Sequence, residues 1–152
     1  MSYFGSSVTS VSNVSISMHQ CNGASPSAGN DIPILGTSQI SQVAITNNDA
    51  VLDAGASYYL ECSGVKYARW SSAKVQWYNQ TTAAYVGQFS WWLNPPNGQV
   101  QVTRWVSRAL ILSGDFGVNS TMTLSPRTIS ITSGSYMYSG YTEPHVRIWR
   151  IA

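Results

Sequence analysis

Charge is what this sequence has least of. Charged side chains make up 9% of its 152 residues, against about 25% in an average globular chain. With a net charge of +2 and no run of Lys or Arg, there is no electrostatic footprint for nucleic acid or an anionic membrane surface. Cysteine is scarce too: Cys21 and Cys62 are the only ones, which excludes the four closely paired ligands of a structural zinc site. A disulfide between them would add about 4 kcal/mol in the loop-entropy model. The N-terminus has neither a basic n-region nor an apolar h-region and is read as the start of the mature chain; without a secretory signal, two buried free thiols are expected. No apolar run approaches the ~18 residues of a spanning helix. Helical periodicity and internal repeats are also missing, which removes α/β folds, propellers and solenoids.

What is present alternates with period two. The segment Lys74 to Val106 organises the chain. Val75-Gln76-Trp77-Tyr78 and Tyr85 to Trp91 flank the polar tract Asn79-Gln80-Thr81-Thr82, the pattern of a hairpin, and Asn94-Pro95-Pro96-Asn97-Gly98 makes a second turn before Val100 to Arg104. Further strand candidates are Val14 to Met18, Ile32 to Leu35, Val43 to Ile45, Val51 to Gly55, Tyr58 to Cys62, Val65 to Trp70 after a Ser63-Gly64 turn, Met122 to Leu124, Thr128 to Thr132 and His145 to Ile151. Arg108-Ala109-Leu110-Ile111-Leu112 is dense enough to predict a strand covered on both faces. Nine to eleven short strands at this spacing predict an all-β antiparallel sandwich or jelly roll.

The chain divides by composition into residues 1–49 and residues 50–152. Within the first part, residues 1–31 are rich in Ser, Asn, Gly and Ala and hold little apolar material of their own, so they become ordered only by lying on something else, whereas from Ile32 the material turns apolar. The first part is an extended N-terminal arm whose anchoring residues are Tyr3, Phe4, Val14, Ile16 and Met18, or else a mobile terminus. Charge is split in the same direction. Residues 1–54 carry −3 and residues 55–152 carry +5, which allows an acidic arm to lie on a basic body of its own or a neighbouring subunit.

Catalytic chemistry finds no foothold. Asp115-Phe116-Gly117 matches the kinase metal-binding tripeptide, but no glycine-rich loop, strand lysine or catalytic loop accompanies it, so it reads as a turn. Gly-x-Ser-x-Gly is absent, and neither His19 nor His145 stands in a recognisable nucleophile context. Nothing brings Glu61 and Glu143 together as a glycosidase pair. No metal-ligand spacing and no cofactor motif is present. A non-enzymatic protein without cofactors is expected.

Aromatic residues are abundant instead, with six Trp and nine Tyr. One domain of this size has more large aromatic surface than its core readily uses, and aromatics are enriched at interfaces. Tyr58, Tyr78, Tyr85, Phe89, Trp91 and Tyr138 are the candidates for a subunit interface, with ordinary intrachain core as the alternative for each. Trp91, Trp92, Tyr136 and Tyr141 are candidates for stacking on a glycan or a partner.

The ordered series Val51 to Cys62, Val75 to Thr82, an apolar strand before Gly114, then Gly140 and Val146-Arg147-Ile148-Trp149-Arg150-Ile151 resembles the TNF/C1q-like jelly roll, in particular its versions in bacteriophage structural proteins. The resemblance spans about residues 50 to 152 and leaves the arm unassigned. It implies a homotrimer with inner-strand aromatics near the threefold axis, located in a virion assembled in the host cytoplasm. Its partner would be the major capsid protein or another virion protein, with the arm attaching a decoration, cement or head-fibre protein. The alternative is a tail-tip receptor-binding or carbohydrate-binding module using exposed aromatics; the absence of a shaft and of calcium-binding carboxylates favours decoration.

Overall fold

A computed structural model describes residues 14–21, 28–68, 73–92, 101–131 and 144–151; at 65–68, 91, 92, 101–103 and 131 it describes the backbone alone. Nine strands follow in chain order: β1 Ser15–Gln20, β2 Val43–Thr46, β3 Asp49–Asp53, β4 Ser57–Ala68, β5 Ala73–Asn79, β6 Ala84–Trp92, β7 Gln101–Ile111, β8 Thr121–Ile131 and β9 His145–Ile151. The only helical element among the described residues is a 3-10 turn, Ser113–Phe116. The strands lie in the order β1-β9-β4-β7-β6-β5-β8-β3-β2, and every named pairing is antiparallel.

This curled sheet works as two layers. Four strands, β1-β9-β4-β7, form one and five, β6-β5-β8-β3-β2, form the other. Between β6 and β7 the register holds a single residue pair, Gln88 with Arg108. One core lies between the layers because the inward member of each alternating pair is apolar: Val146 and Ile148 of β9, Tyr58, Leu60 and Cys62 of β4, and Ala109 and Ile111 of β7 face Val75 and Trp77 of β5, Met122 and Leu124 of β8 and Leu52 of β3. Trp77 is fully buried, and its indole N–H crosses the core to donate to the Ser107 carbonyl of β7 at 3.3 Å. The all-β jelly roll expected from the alternation is therefore found.

Local chemistry explains the connections. Asn47 and Asn48 have φ of 52° and 68°, the two left-handed residues of a tight hairpin between β2 and β3. At the expected β5–β6 hairpin, Asn79 Oδ1 accepts the amides of Thr81 and Thr82 at 2.9 and 3.2 Å, a side chain closing its own turn. Asp115-Phe116-Gly117 is a turn as read: Asp115 Oδ2 accepts the Leu112 amide at 2.8 Å, and Phe116 plugs the core against Tyr58.

Several boundaries differ from the pattern reading. Ser63-Gly64 is no turn; β4 runs through it, and Gly64 is needed because an added Cβ would meet the Trp105 indole of β7 at 2.8 Å. Pro126 does not split β8. Its backbone faces the segment 28–34, where its carbonyl accepts the Ile32 amide at 2.7 Å, so its missing N–H removes no bond to β5. Ile32 to Leu35 forms no strand and makes one isolated bridge, Ile34 with Cys21, although Ile32 and Ile34 are core residues. Finally, Arg108 to Leu112 is buried on one face only: Ala109 and Ile111 are inside, whereas Leu110 and Leu112 are 54% and 51% exposed.

Residues of the compositional arm are part of this body. β1 pairs with β9 along its length, β2 pairs with β3, and Ile32, Ile34, Ile40 and Val43 are buried in the common core. Residues 1–13 and 22–27, with the expected anchors Tyr3 and Phe4, lie outside the described residues.

The crossing of β6 between layers is the tightest point. Between Val75 and Trp77 the β5–β6 register shifts, so that Gly87, Gln88 and Phe89 stand opposite Gln76 alone. Gly87 has φ +71°, and an added Cβ would lie 2.1 Å from the Arg108 carbonyl oxygen. Its own carbonyl accepts the Gln76 amide side chain at 2.7 Å. Gly87→Ala is expected to destabilise the fold by at least ~2 kcal/mol, read as a lowered urea midpoint.

Candidate assembly face

The outward residues of β1, β9, β4 and β7 meet in rows. Register places Ile16 opposite Trp149, Trp149 opposite Tyr59 and Tyr59 opposite Leu110. The result is an apolar row across four strands, with Tyr59 and Trp149 rings 5.2 Å apart between centroids. Its ends are open: Ile16 is 43% and Leu110 54% exposed. One step along, the next row is Met18, Arg147, Glu61 and Arg108. Glu61 accepts from Arg147 at 3.0 Å and from Arg108 at 3.2 Å, so one carboxylate serves two guanidinium groups and the row keeps one net positive charge. An open depression of about 400 Å³ ends the face where β6 meets β7, lined by Tyr59, Gly87, Gln88, Arg108, Ala109 and Leu110. An apolar row left open at both ends on the outer side of a layer is a candidate contact surface.

Of the sequence-derived anchors, Val14, Ile16 and Met18 are exposed, at 59%, 43% and 50%, with Ile16 and Met18 in these rows. The interface residues expected from aromatic content are scattered. Tyr58 is a correction. It has no exposed surface, its ring packs on Phe116, and its hydroxyl donates to the Asp53 carbonyl at 2.8 Å, so it is core and has nothing to offer a neighbour. Tyr78 is half-buried on the opposite layer, with the Tyr85 ring edge-on at 5.1 Å and the Arg127 guanidinium over its face at 3.5 Å. Tyr85 and Phe89 are exposed on that layer, the latter beneath Lys74 Nζ at 3.8 Å. Trp91 and Trp92 are described in backbone only, and Tyr136, Tyr138 and Tyr141 lie outside the described residues. Tyr59, Leu110 and Trp149 were missed because bulk counted over position. Their signal was parity: each is the outward neighbour of a core residue on a strand whose inward residues already fill the core.

The charge asymmetry takes concrete form on the other layer. Asp31 bridges to β8 and receives Arg127 through two bonds, 2.6 and 3.1 Å, and this contact raises the Arg127 pKa further. The acidic segment thus lies on the basic body of its own chain. Asp49 sits beside the same group. Burial raises its carboxyl pKa, with Gln80 opposing and the nearby Asp31 charge adding to the rise. A carboxyl whose folded pKa is raised is penalised once ionised, so the penalty grows as pH rises through that value and is absent below the unfolded pKa near 3.9. Asp49→Asn is expected to raise the urea midpoint at pH 7 and leave it unchanged at pH 3.

Reactive groups in the described part are buried. Ser17 Oγ lies 2.7 Å from His19 Nε2, a nucleophile–base spacing, but Ser17 is 0% and His19 3% exposed, and no substrate reaches them. Cys21 and Cys62 are free, buried thiols; burial pushes the Cys62 thiol pKa up, and contact with Cys21 adds to the rise. Cys62 lies opposite Val146 of β9, and Cys21, whose amide donates to the Pro144 carbonyl, flanks the other side of β9; the two thiols meet within the core as free, reduced groups. Ellman's reagent should therefore react slowly with the native protein and titrate two thiols after denaturation. Among the described residues no group of three or more His, Cys, Asp or Glu is placed to hold a metal ion, and no helix is long and apolar enough to cross a membrane.

No protein-family model matches the chain, and no curated protein sequence matches it. Solved structures do. The structure of Eiger TNF from S. frugiperda aligns with a TM-score of 0.60 at 10% identity, covering 91% of this chain and 93% of that one. At that identity the likeness is one of fold: the chain is a TNF-like jelly-roll β-sandwich.

Proposed function

We propose that this protein is a non-enzymatic structural module that assembles as a homotrimer through the outer face of β1-β9-β4-β7, and that the trimer decorates a bacteriophage particle as a cement or head-fibre protein. The observation that carries the assembly is the row Ile16-Trp149-Tyr59-Leu110, an apolar stripe on the side of the layer away from the core. A closed threefold ring needs two different patches on each copy. The exposed Tyr85 and Phe89 of β6 supply a second aromatic patch on the opposite layer. The TNF-like fold favours three copies over two, and the bacteriophage assignment rests on the motif series in residues 50–152. The mechanism is mechanical: the trimer adds buried contacts that bridge neighbouring capsid subunits, with residues preceding β1 as the attachment segment.

The test is a single surface substitution. Leu110 is 54% exposed, so Leu110→Asp should leave the thermal midpoint of the isolated fold within a few degrees while placing an unpaired charge in the interface. The wild type is expected to sediment at three times 16.5 kDa and the variant as a monomer. A deletion of residues 1–13 is expected to remain trimeric and to lose rebinding to stripped particles. A wild-type monomer that binds glycans would overturn this reading in favour of a carbohydrate-binding module.

A further inference from the structure

Ser17 and His19 are buried residues on an edge strand. Among the described residues β1 has one strand neighbour, β9, and its other side is closed by the segment 34–40. There the Leu35 amide donates to the Gln20 carbonyl at 2.8 Å, and Gln39 Oε1 accepts the Met18 amide at 3.1 Å. The centre of this closure is a polar cluster. Ser17 Oγ accepts from the Gln39 amide at 3.1 Å and from the Ser38 hydroxyl at 3.2 Å, and its own proton faces His19 Nε2 at 2.7 Å. The Leu35 backbone carbonyl is the acceptor for the imidazole. Every partner is satisfied with a neutral ring.

Protonation turns Nε2 into a donor and drives the Ser17 proton toward Gln39 Oε1, 3.1 Å away. Hydrogen bonding can follow that change, but the charge has no counterion. From β1 the ring meets Ser17 and, further on, Cys21; from the segment 34–40 it meets Leu35, while Ser38 and Gln39 are held on Ser17. On β9 the residue opposite is Val146, with Cys62 of β4 beyond it, while Arg147 is turned to the outer face and tied to Glu61. Among the described residues no carboxylate faces the imidazole, and burial pushes its pKa down. A buried cation without a partner is relieved by opening to water, and an edge strand opens first.

We propose that His19 is an acid-operated latch: its protonation loosens β1 from β9 and from the segment 34–40, releasing the strand that joins residues 1–13 to the jelly roll. Because the imidazole pKa is lowered in the closed state, the latch holds fully above the released-state pKa near 6.5 and weakens as pH falls below it. The latch does not depend on the particle proposed above, and its test needs no particle.

Amide hydrogen exchange on the full-length protein at pH 7.5 and 5.0, corrected for intrinsic rates, reads it directly. Protection of residues 15–20 is expected to fall by up to about 30-fold, one decade per pH unit below about 6.5, while residues 58–62 of β4 keep theirs. His19→Gln should abolish the difference and His145→Gln should retain it. Should His19→Gln fail to fold, the wild-type imidazole titrated by NMR decides: a His19 pKa below 6.5 supports the latch. A pKa at or above 6.5, equal protection at both pH values, or a loss shared by β4 overturns it.

Discussion

A sheet has two faces, and among the described residues each layer of this curled sheet has one other layer with which to cover them. The layer β1-β9-β4-β7 turns Tyr58, Leu60, Ala109, Ile111, Val146 and Ile148 inward, where the second layer buries them. Its other side still presents Ile16, Trp149, Tyr59 and Leu110 in one row. At roughly 25 cal/mol per Å² of apolar surface, leaving such a row in water forgoes several kcal/mol that association would recover. The closure of β6 at Gly87 follows from the same geometry. The two layers need one strand that serves both, and only a residue without a side chain fits against the Arg108 carbonyl.

Among the described residues the few charges that pair do so at two places. Asp31 and Arg127 fasten the segment 28–34 along β8, where Gly29, Asn30 and Ile32 supply the backbone bonds that β3 does not. Glu61 sits between Arg147 and Arg108 in the middle of the outer face. In a single chain these partly exposed pairs contribute little. In an assembly they would lose water and gain specificity for register more than affinity.

The alternation of short segments was enough to identify the jelly roll, because period two and turn chemistry act locally. The Asn47-Asn48 and Asn79-to-Thr82 turns show this directly. What escaped was any feature set by a distant neighbour. Gly64 reads as a turn until the Trp105 ring beside it is known, and Pro126 reads as a break until its backbone is seen to face segment 28–34. The site was less legible than the fold. Aromatic size pointed to Tyr58, yet outward parity, not size, selects Tyr59 and Trp149. The Ser17–His19 cluster had no sequence signal, since its third and fourth members, Ser38 and Gln39, come from a loop some twenty residues on.

A hydroxyl-radical footprint of the full-length protein in solution, read by peptide mass spectrometry and corrected for intrinsic side-chain reactivity, tests the central claim most directly. The account predicts that Tyr59, Leu110 and Trp149 are protected far beyond their exposure in the single chain, while Val118, fully exposed just after the 3-10 turn Ser113–Phe116, is oxidised freely. Oxidation of the row in proportion to its single-chain exposure would contradict it.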